Sequence, residues 1–270
     1  MFNLVQTGDI KYLTIPAFEE TGTVTHAFST RLGGVSPEPY TRLNLGFNTG
    51  DDPDNVRENR RRICRTLGIE PGHVVAGRQV HGASIAVVSE KDRGKGAFFL
   101  DSAIPETDAL ITAEPGVPLA SFYADCVAVF LLDPVKGAIG LAHAGWKGTF
   151  LKIAARTAER MGELFRSNPG DLLIGIGPSI GSCCYEVDLP VINRLREAFR
   201  GYEDTAVRTG PDKWHLDLWE INRRQLADIG VPPEQITISR FCTNCRTDLF
   251  YSYRAENGIT GRMGAILMLT

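Results

Sequence analysis

Short runs of apolar and β-branched residues alternate along the chain with longer amphipathic stretches, without a strict strand–helix rhythm. Asp52-Pro53-Asp54 supplies a cap and a first-turn proline, and Gly68 follows Leu67, which predicts a helix between them. VVAGRQVHG and ASIAVVS read as strands flanking a break at Gly82. ETDALIT, PLASFYA, CVAVFLLD and GAIGLAHAG also read as strands, each bounded by Pro, Gly or Asp. Phe150, Ile153, Ala154, Ala158, Met161 and Leu164 recur at helical spacing and predict one helix over about 148–165. LLIGIG is a buried strand, and helices follow over 189–199 and 218–229, the second stopped by Gly230 with Pro232 beyond. ITISRF, LFYSYR and GAILML close the pattern as strands. The mixture predicts an α+β fold rather than a doubly wound sheet.

At 270 residues the chain sits at the upper end of what one core supports, so one large or two closely fused domains both fit. No low-complexity segment or Ser/Gly-rich linker marks a boundary, and the chain is read as a single catalytic domain over 1–270. With 29 basic against 32 acidic residues, there is no positive excess to draw the chain to nucleic acid or an anionic membrane. Arg57, Arg60, Arg61 and Arg62 cluster, and read as a solvated face of the first helix. The N-terminal MFNLVQTGDIKYLTI lacks the basic and apolar regions of a signal peptide. The longest apolar run, around Cys126 to Leu132, is of strand length and falls short of the roughly 18 residues a membrane span needs. A cytoplasmic location follows, in which six cysteines are free thiols, metal ligands or nucleophiles before they are disulfides.

Of five histidines, His81 (QVHG) and His143 (AHAGWKG) stand at strand ends beside glycines, and Cys126 (YADCVAV) stands between two strand-like segments. Strand ends leading into loops are the usual place for ligands and catalytic groups. Two imidazoles and a thiolate make a three-ligand zinc site with an open fourth position, the pattern of catalytic zinc. Asp108 in ETDALIT and Asp125 beside Cys126 are candidate proton carriers; either could equally be a turn residue that orients loops. Cys183-Cys184 reads as buried packing. Cys242-x-x-Cys245 has zinc-ribbon or redox spacing but no second such pair, so it reads as half a site. GLAHAGWKG lacks the G-x-G-x-x-G pattern and the later acidic residue of a dinucleotide loop.

STRLGGVSPEPYTRLNLGFNTGDDPDNVRENR, RQVHG, YADCVAV, AHAGWKG, IGPSIGSCCYEV and FYSYRAENGITGRM occur in this order. Together they resemble the signature blocks of a family once called polyphenol oxidase or laccase-like and now regarded as purine nucleoside phosphorylases and adenosine deaminases. The resemblance covers residues from about 30 to 263. It implies zinc held by His81, Cys126 and His143, and layered mixed β-sheets with flanking helices, similar to a group of toxin-like cysteine hydrolases. The older name conflicts with the residue count, because five scattered histidines cannot ligate the several coppers of a multicopper oxidase.

The function so implied is zinc-dependent phosphorolysis of adenosine, inosine, guanosine or methylthioadenosine, with adenosine deamination beside it. The partners are then a purine nucleoside and phosphate, with the chain a monomer or homodimer. Neither the H-x-E nor the P-C-x-x-C element of cytidine-type zinc deaminases is present. Phosphate would suit Arg31 with the Gly33-Gly34 backbone, or the turn from Gly145 to Gly148, which contains Lys147 where family members often carry Arg. Asn44 is a candidate ribose contact or a loop-stabilising amide. Two other readings compete: a metal-free cysteine hydrolase using Cys126 and His143 on an amide, and a non-catalytic binding protein of the envelope or division apparatus.

Overall fold

CVAVFLLD is apolar at every position but its last, the mark of a strand covered on both faces. In the structure, a computed structural model describing residues 1–270, this segment runs through the middle of the molecule. The N-terminal strands β1 (Asn3–Thr7), β2 (Ile10–Thr14) and β3 (Val24–Ser29) form a meander, with the short helix α1 (Pro16–Glu19) before the third. A long loop leads to α2 (Pro53–Thr66) and two short strands, β4 (Val75–Ala76) and β5 (Ile85–Val87). The central strands are β6 (Ala109–Thr112), β7 (Leu119–Tyr123), β8 (Val127–Asp133) and β9 (Ala138–Ala144). Helices α3 (Trp146–Phe150) and α4 (Ile153–Phe165) lead to β10 (Leu173–Ile176). Then come β11 (Glu186–Asp188), α5 (Leu189–Ala198), β12 (Ala206–Gly210), β13 (Lys213–Leu216) and α6 (Leu218–Asp228). The strands β14 (Ile236–Ile238) and β15 (Met263–Leu269) finish the chain.

Two mixed six-stranded sheets, ordered β1-β2-β3-β15-β7-β4 and β14-β10-β8-β9-β6-β5, stack on each other, and β11-β13-β12 forms a small third sheet. Strand alternation sorts the β8 side chains between two cores. Val127, Val129 and Leu131 pack toward α4 and α6, while Ala128, Phe130 and Leu132 enter the layer between the sheets with Phe28, Leu141 and Leu267. On the far side, α2 lays Ile63 and Cys64 on Ala120 and Ile266 of the first sheet and on Leu45 of the long loop. Ile63 is 1% exposed, and burying such a side chain is worth about 1.5–3 kcal/mol. The layers thus run helix, sheet, sheet, helices, the α+β arrangement expected. No helix is long and apolar enough to cross a membrane.

Several local expectations are corrected. The predicted helix over 148–165 is two helices, because Lys152 takes a left-handed φ of 60° and interrupts the ladder. Only Val75–Ala76 of VVAGRQVHG is strand; beyond Gly77 the chain leaves the sheet as a loop. LFYSYR is no strand: Leu249, Phe250 and Tyr251 are buried, yet Leu249 and Phe250 donate to the Arg246 carbonyl in turns. Their apolar pattern reflects burial without pairing. The meander of β1 to β3 and the small third sheet were not predicted. Arg60 does not belong to a solvated face: it is 6% exposed and lies on the buried side of α2 with Val56, Asn59 and Ile63.

Candidate metal centre and cavity

The register of two central strands assembles the site. β8 and β9 pair through Val127↔Ala144 and Ala128↔His143, so Cys126 and Gly145 are the next positions out. At Gly145 any side chain would collide, since a Cβ there would stand 2.9 Å from Cys126 Sγ and 3.2 Å from the His81 ring. Glycine is what lets the thiol sit against the turn into α3. His143 shares the β9 face of Ile139 and Leu141, which puts its ring in the layer between the sheets, 5.4 Å from the Tyr123 ring. His81 comes from the loop between β4 and β5, with its ring centroid 4.9 Å from that of His143. Ligand atoms of His81, Cys126 and His143 all lie within 4.8 Å of one another.

A single carboxylate organises two of these residues. Asp108, 2% exposed at the start of β6, takes the His143 Nδ1 at 2.8 Å on Oδ1. It also accepts three consecutive backbone N–H groups, from Val80, His81 and Gly82, at 3.2, 3.0 and 2.8 Å. Those bonds brace the turn in which His81 adopts a left-handed φ of 60°, a conformation uncommon outside glycine. Binding Nδ1 leaves Nε2 of His143 for the cluster, the orientation that carboxylate–histidine–metal arrangements use. Burial alone would raise the Asp108 pKa, but the His143 contact and the amide donors outweigh it and hold the group low. Burial would likewise push the Cys126 thiol up, and the His143 and His81 imidazoles bring it down to about 6. His143 moves the other way: burial opposes its charge, yet the Cys126 sulfur and Asp108 raise it. The pair thus favours a Cys126 thiolate beside a protonated His143, whose Nε2 proton would be displaced when a cation binds, and the mixed nitrogen and sulfur donors suit zinc.

Burial is graded across the cluster, from exposed His81 through half-buried Cys126 to buried His143. Its open side faces a cavity of about 770 Å³, within the usual range for small-molecule sites. Asp125 lines this cavity, with a left-handed φ of 80°. Its carboxylate accepts the Thr243 hydroxyl at 2.6 Å and the Arg254 amide at 2.7 Å, tying together two loops.

The other predicted positions divide. Gly145 lines the cavity. Lys147 does not; it is exposed, its Nζ 5.7 Å from the Trp146 ring. Arg31 and Asn44 are absent from the cavity wall as well. Arg31 pairs with Glu256 at 3.0 Å, donates to the Thr41 and Thr247 carbonyls and covers the Tyr251 ring. Asn44 is fully buried, donating to Asp51 and Thr49 and accepting from the Gly46 and Arg262 amides, which is loop bracing.

Four cavity arginines escaped the sequence reading: Arg60, Arg78, Arg254 and Arg262. Arg60 lies between the Phe47 and Phe122 rings, 4.3 and 4.0 Å from their centroids, and donates to the Leu45, Gly96 and Ala97 carbonyls. Its spacing from Val56 and Ile63 on α2 was the signal available for its burial. Arg262 donates to the Thr260 and Gly261 carbonyls, and burial lowers its pKa. None of the four pairs with a carboxylate, and Asp125 is the one acidic residue in the wall.

The family model described as "Multi-copper polyphenol oxidoreductase laccase" matches residues 25–270. A Geobacillus stearothermophilus protein named "Purine nucleoside phosphorylase YlmD" is 42% identical over 240 residues, 88% of either chain. An Escherichia coli protein named "Purine nucleoside phosphorylase YfiH" is 34% identical, covering 95% of this chain and 98% of its own. The crystal structure of YlmD from Geobacillus stearothermophilus superposes with a TM-score of 0.94 at 38% identity, over 100% of this chain and 99% of that one.

Proposed function

The chain belongs to the family described as multi-copper polyphenol oxidoreductase laccase, and from that premise we propose that it is a zinc-dependent purine nucleoside phosphorylase. The observation that carries this reading is the charge of the cavity: four arginines without carboxylate partners against one acidic residue, beside a His-Cys-His cluster. Such an excess favours an anion of phosphate size, which guanidinium groups bind through paired N–H donors. The family's printed description implies oxidation by several coppers. Only two of the five histidines, His81 and His143, reach the cavity, and His26 is committed to accepting the Ile15 amide. That imidazole set does not furnish a multicopper centre.

In phosphorolysis a phosphate oxygen bonds to the ribose anomeric carbon as the bond from that carbon to the base nitrogen breaks, and the base leaves with the electron pair and takes up a proton. Zinc held by His81, Cys126 and His143 would supply Lewis acidity toward the developing charge. Arg78 and Arg254, on cavity loops, hold the phosphate, and buried Arg60 with half-buried Arg262 maintains the positive field. Phe47, Phe122 and Tyr253 offer flat apolar surface to a purine, and Asn48, exposed in the wall, is placed for a hydroxyl or base edge. Adenosine deamination is the finer part of the proposal. It needs a proton carrier, and of the two aspartates Asp125 alone reaches the cavity, since each Asp108 oxygen already holds two donors.

The test supplies purified chain with phosphate and each of adenosine, inosine, guanosine and methylthioadenosine, and follows free base and the matching sugar 1-phosphate, which is ribose 1-phosphate or, from methylthioadenosine, 5-methylthioribose 1-phosphate. Phosphate-dependent formation of both products supports the reading; release of neither from any nucleoside sinks it. Ammonia from adenosine without phosphate tests the deaminase part separately.

One observation favours a second reading. Asp108, His143 and Cys126 form a chain of contacts resembling an acyl-transfer triad, which needs no metal. A zinc ion bound stoichiometrically and lost in His81→Ala would speak against it, because a triad has no use for a third donor.

A further inference from the structure

We propose that Cys183, Cys184, Cys242 and Cys245 form a second metal site, holding one zinc ion in a closed shell of four thiolates. The two halves come from separate loops, one between β10 and β11 and the other after β14. Neither half meets the requirement alone, and the fold supplies the missing partner of each. All four sulfurs lie within 4.8 Å of one another. Cys245 Sγ stands 3.4 Å from Cys184 Sγ and 3.6 Å from Cys183 Sγ.

These separations match a tetrahedral site. With zinc–sulfur bonds of about 2.3 Å, the edge of a tetrahedron of ligands is about 3.8 Å. Disulfide bonding would instead draw pairs to about 2.05 Å. The chemistry of the set agrees with the spacing. It holds four sulfurs and no imidazole or carboxylate, the composition that selects zinc over harder cations. The Gly181 amide donates to Cys242 Sγ at 3.3 Å, a contact that suits a thiolate better than a thiol. Four neutral thiols could offer one another only weak S–H···S contacts.

The backbone around the cluster is already aligned for a clamp. Ser179 bridges to Cys242, with the Thr243 amide donating to Ser179 at 2.9 Å. Both loops then reach the cavity: Ile180 and Tyr185 line it, and Thr243 donates to Asp125 beside Cys126. A closed four-thiolate shell leaves no position for substrate, so the role is structural: the ion holds the two loops at the cavity rim in register.

The experiment uses the full chain, reduced, with zinc alone as the probe and alkylation of each cysteine mapped by peptide mass. Added zinc is expected to protect all four cysteines, and a chelator to expose them again. In Cys126→Ala, where the cavity cluster is broken, one zinc per chain should remain, and adding Cys242→Ser with Cys245→Ser should remove it. Alkylation unchanged by zinc, or a Cys126→Ala chain without zinc, overturns the proposal. So does finding the cysteines as disulfides that, once reduced, take no zinc. The wild-type alkylation map stands even where a variant fails to fold. None of these readouts involves nucleoside turnover, so their failure is distinct from failure of the phosphorylase reading.

Discussion

The two candidate ligand clusters are built on opposite plans. His81, Cys126 and His143 meet where strands of the second sheet end, with a buried aspartate behind them and a cavity in front. The four cysteines meet where two loops cross, with no carboxylate behind and no cavity position of their own. Three mixed ligands with an open side describe a centre that acts on something; four identical ligands that enclose an ion describe a fastener. The difference shows what outer support is for. A ligand set that must keep one position free cannot rely on the ion alone to fix its geometry, and under the proposed zinc reading Asp108 would carry that burden.

The largest effect expected comes from removing the thiolate. Cys126→Ala should abolish both zinc binding in the cavity and phosphorolysis while leaving the folded core intact, checked by metal analysis, product assay and circular dichroism. Asp108→Asn comes next. It puts an amide, partly a donor, where four donors already point, and should weaken zinc at the cavity cluster by about 10–100-fold with protein still folded. Titration against a competing chelator measures this, and unchanged affinity would reduce Asp108 to loop bracing. Cys242→Ser with Cys245→Ser should leave zinc at the cavity cluster. If the loops lose about 2 kcal/mol, Tm should fall by roughly 4–8 °C, read by calorimetry.

The smallest effect isolates burial from ligation. His26 on β3 is as buried as His143 but lacks its aspartate and thiol, and its Nε2 accepts the Ile15 amide at 2.7 Å. Burial, partly opposed by Glu19, lowers its pKa from 6.5 to about 4. Because the unfolded chain binds this proton first, stability is whole above pH 6.5 and falls as the pH drops toward 4. The full loss is about 3 kcal/mol. Urea unfolding across that window should show a shallower decline in His26→Gln.

What could be read from the chain depended on how local the signal was. The helix α2 announced both ends, by Asp52-Pro53 and Gly68, and the structure has it at Pro53–Thr66. The double-faced burial of β8 was plain in its composition. His81, Cys126 and His143 were weak candidates as isolated residues and gained weight only through the signature blocks around them. Cys183-Cys184 and Cys242-x-x-Cys245 were read separately because nothing in their spacing tells that two loops cross. The cavity arginines were hidden for a related reason: periodicity predicts which side of a helix is buried, while the cost of burying a guanidinium argues against Arg60 being there. Two aromatic faces and three carbonyls offset that cost, and they come from elsewhere in the chain. Lys152 broke a helix that its neighbours' spacing supported.

The pairing of β8 with β9 along all seven residues carries a consequence for how the molecule opens. Amides of strands paired on both sides and buried on both faces exchange with solvent only when the whole domain comes apart, whereas loop amides exchange through small local openings. Cys126 and His143 are therefore attached to the slowest-exchanging part of the chain, and His81, Tyr185 and Arg254 to faster parts. Entry of a small molecule into the cavity can then proceed by displacement of the rim, at a fraction of the unfolding free energy, while Cys126 and His143 keep their places.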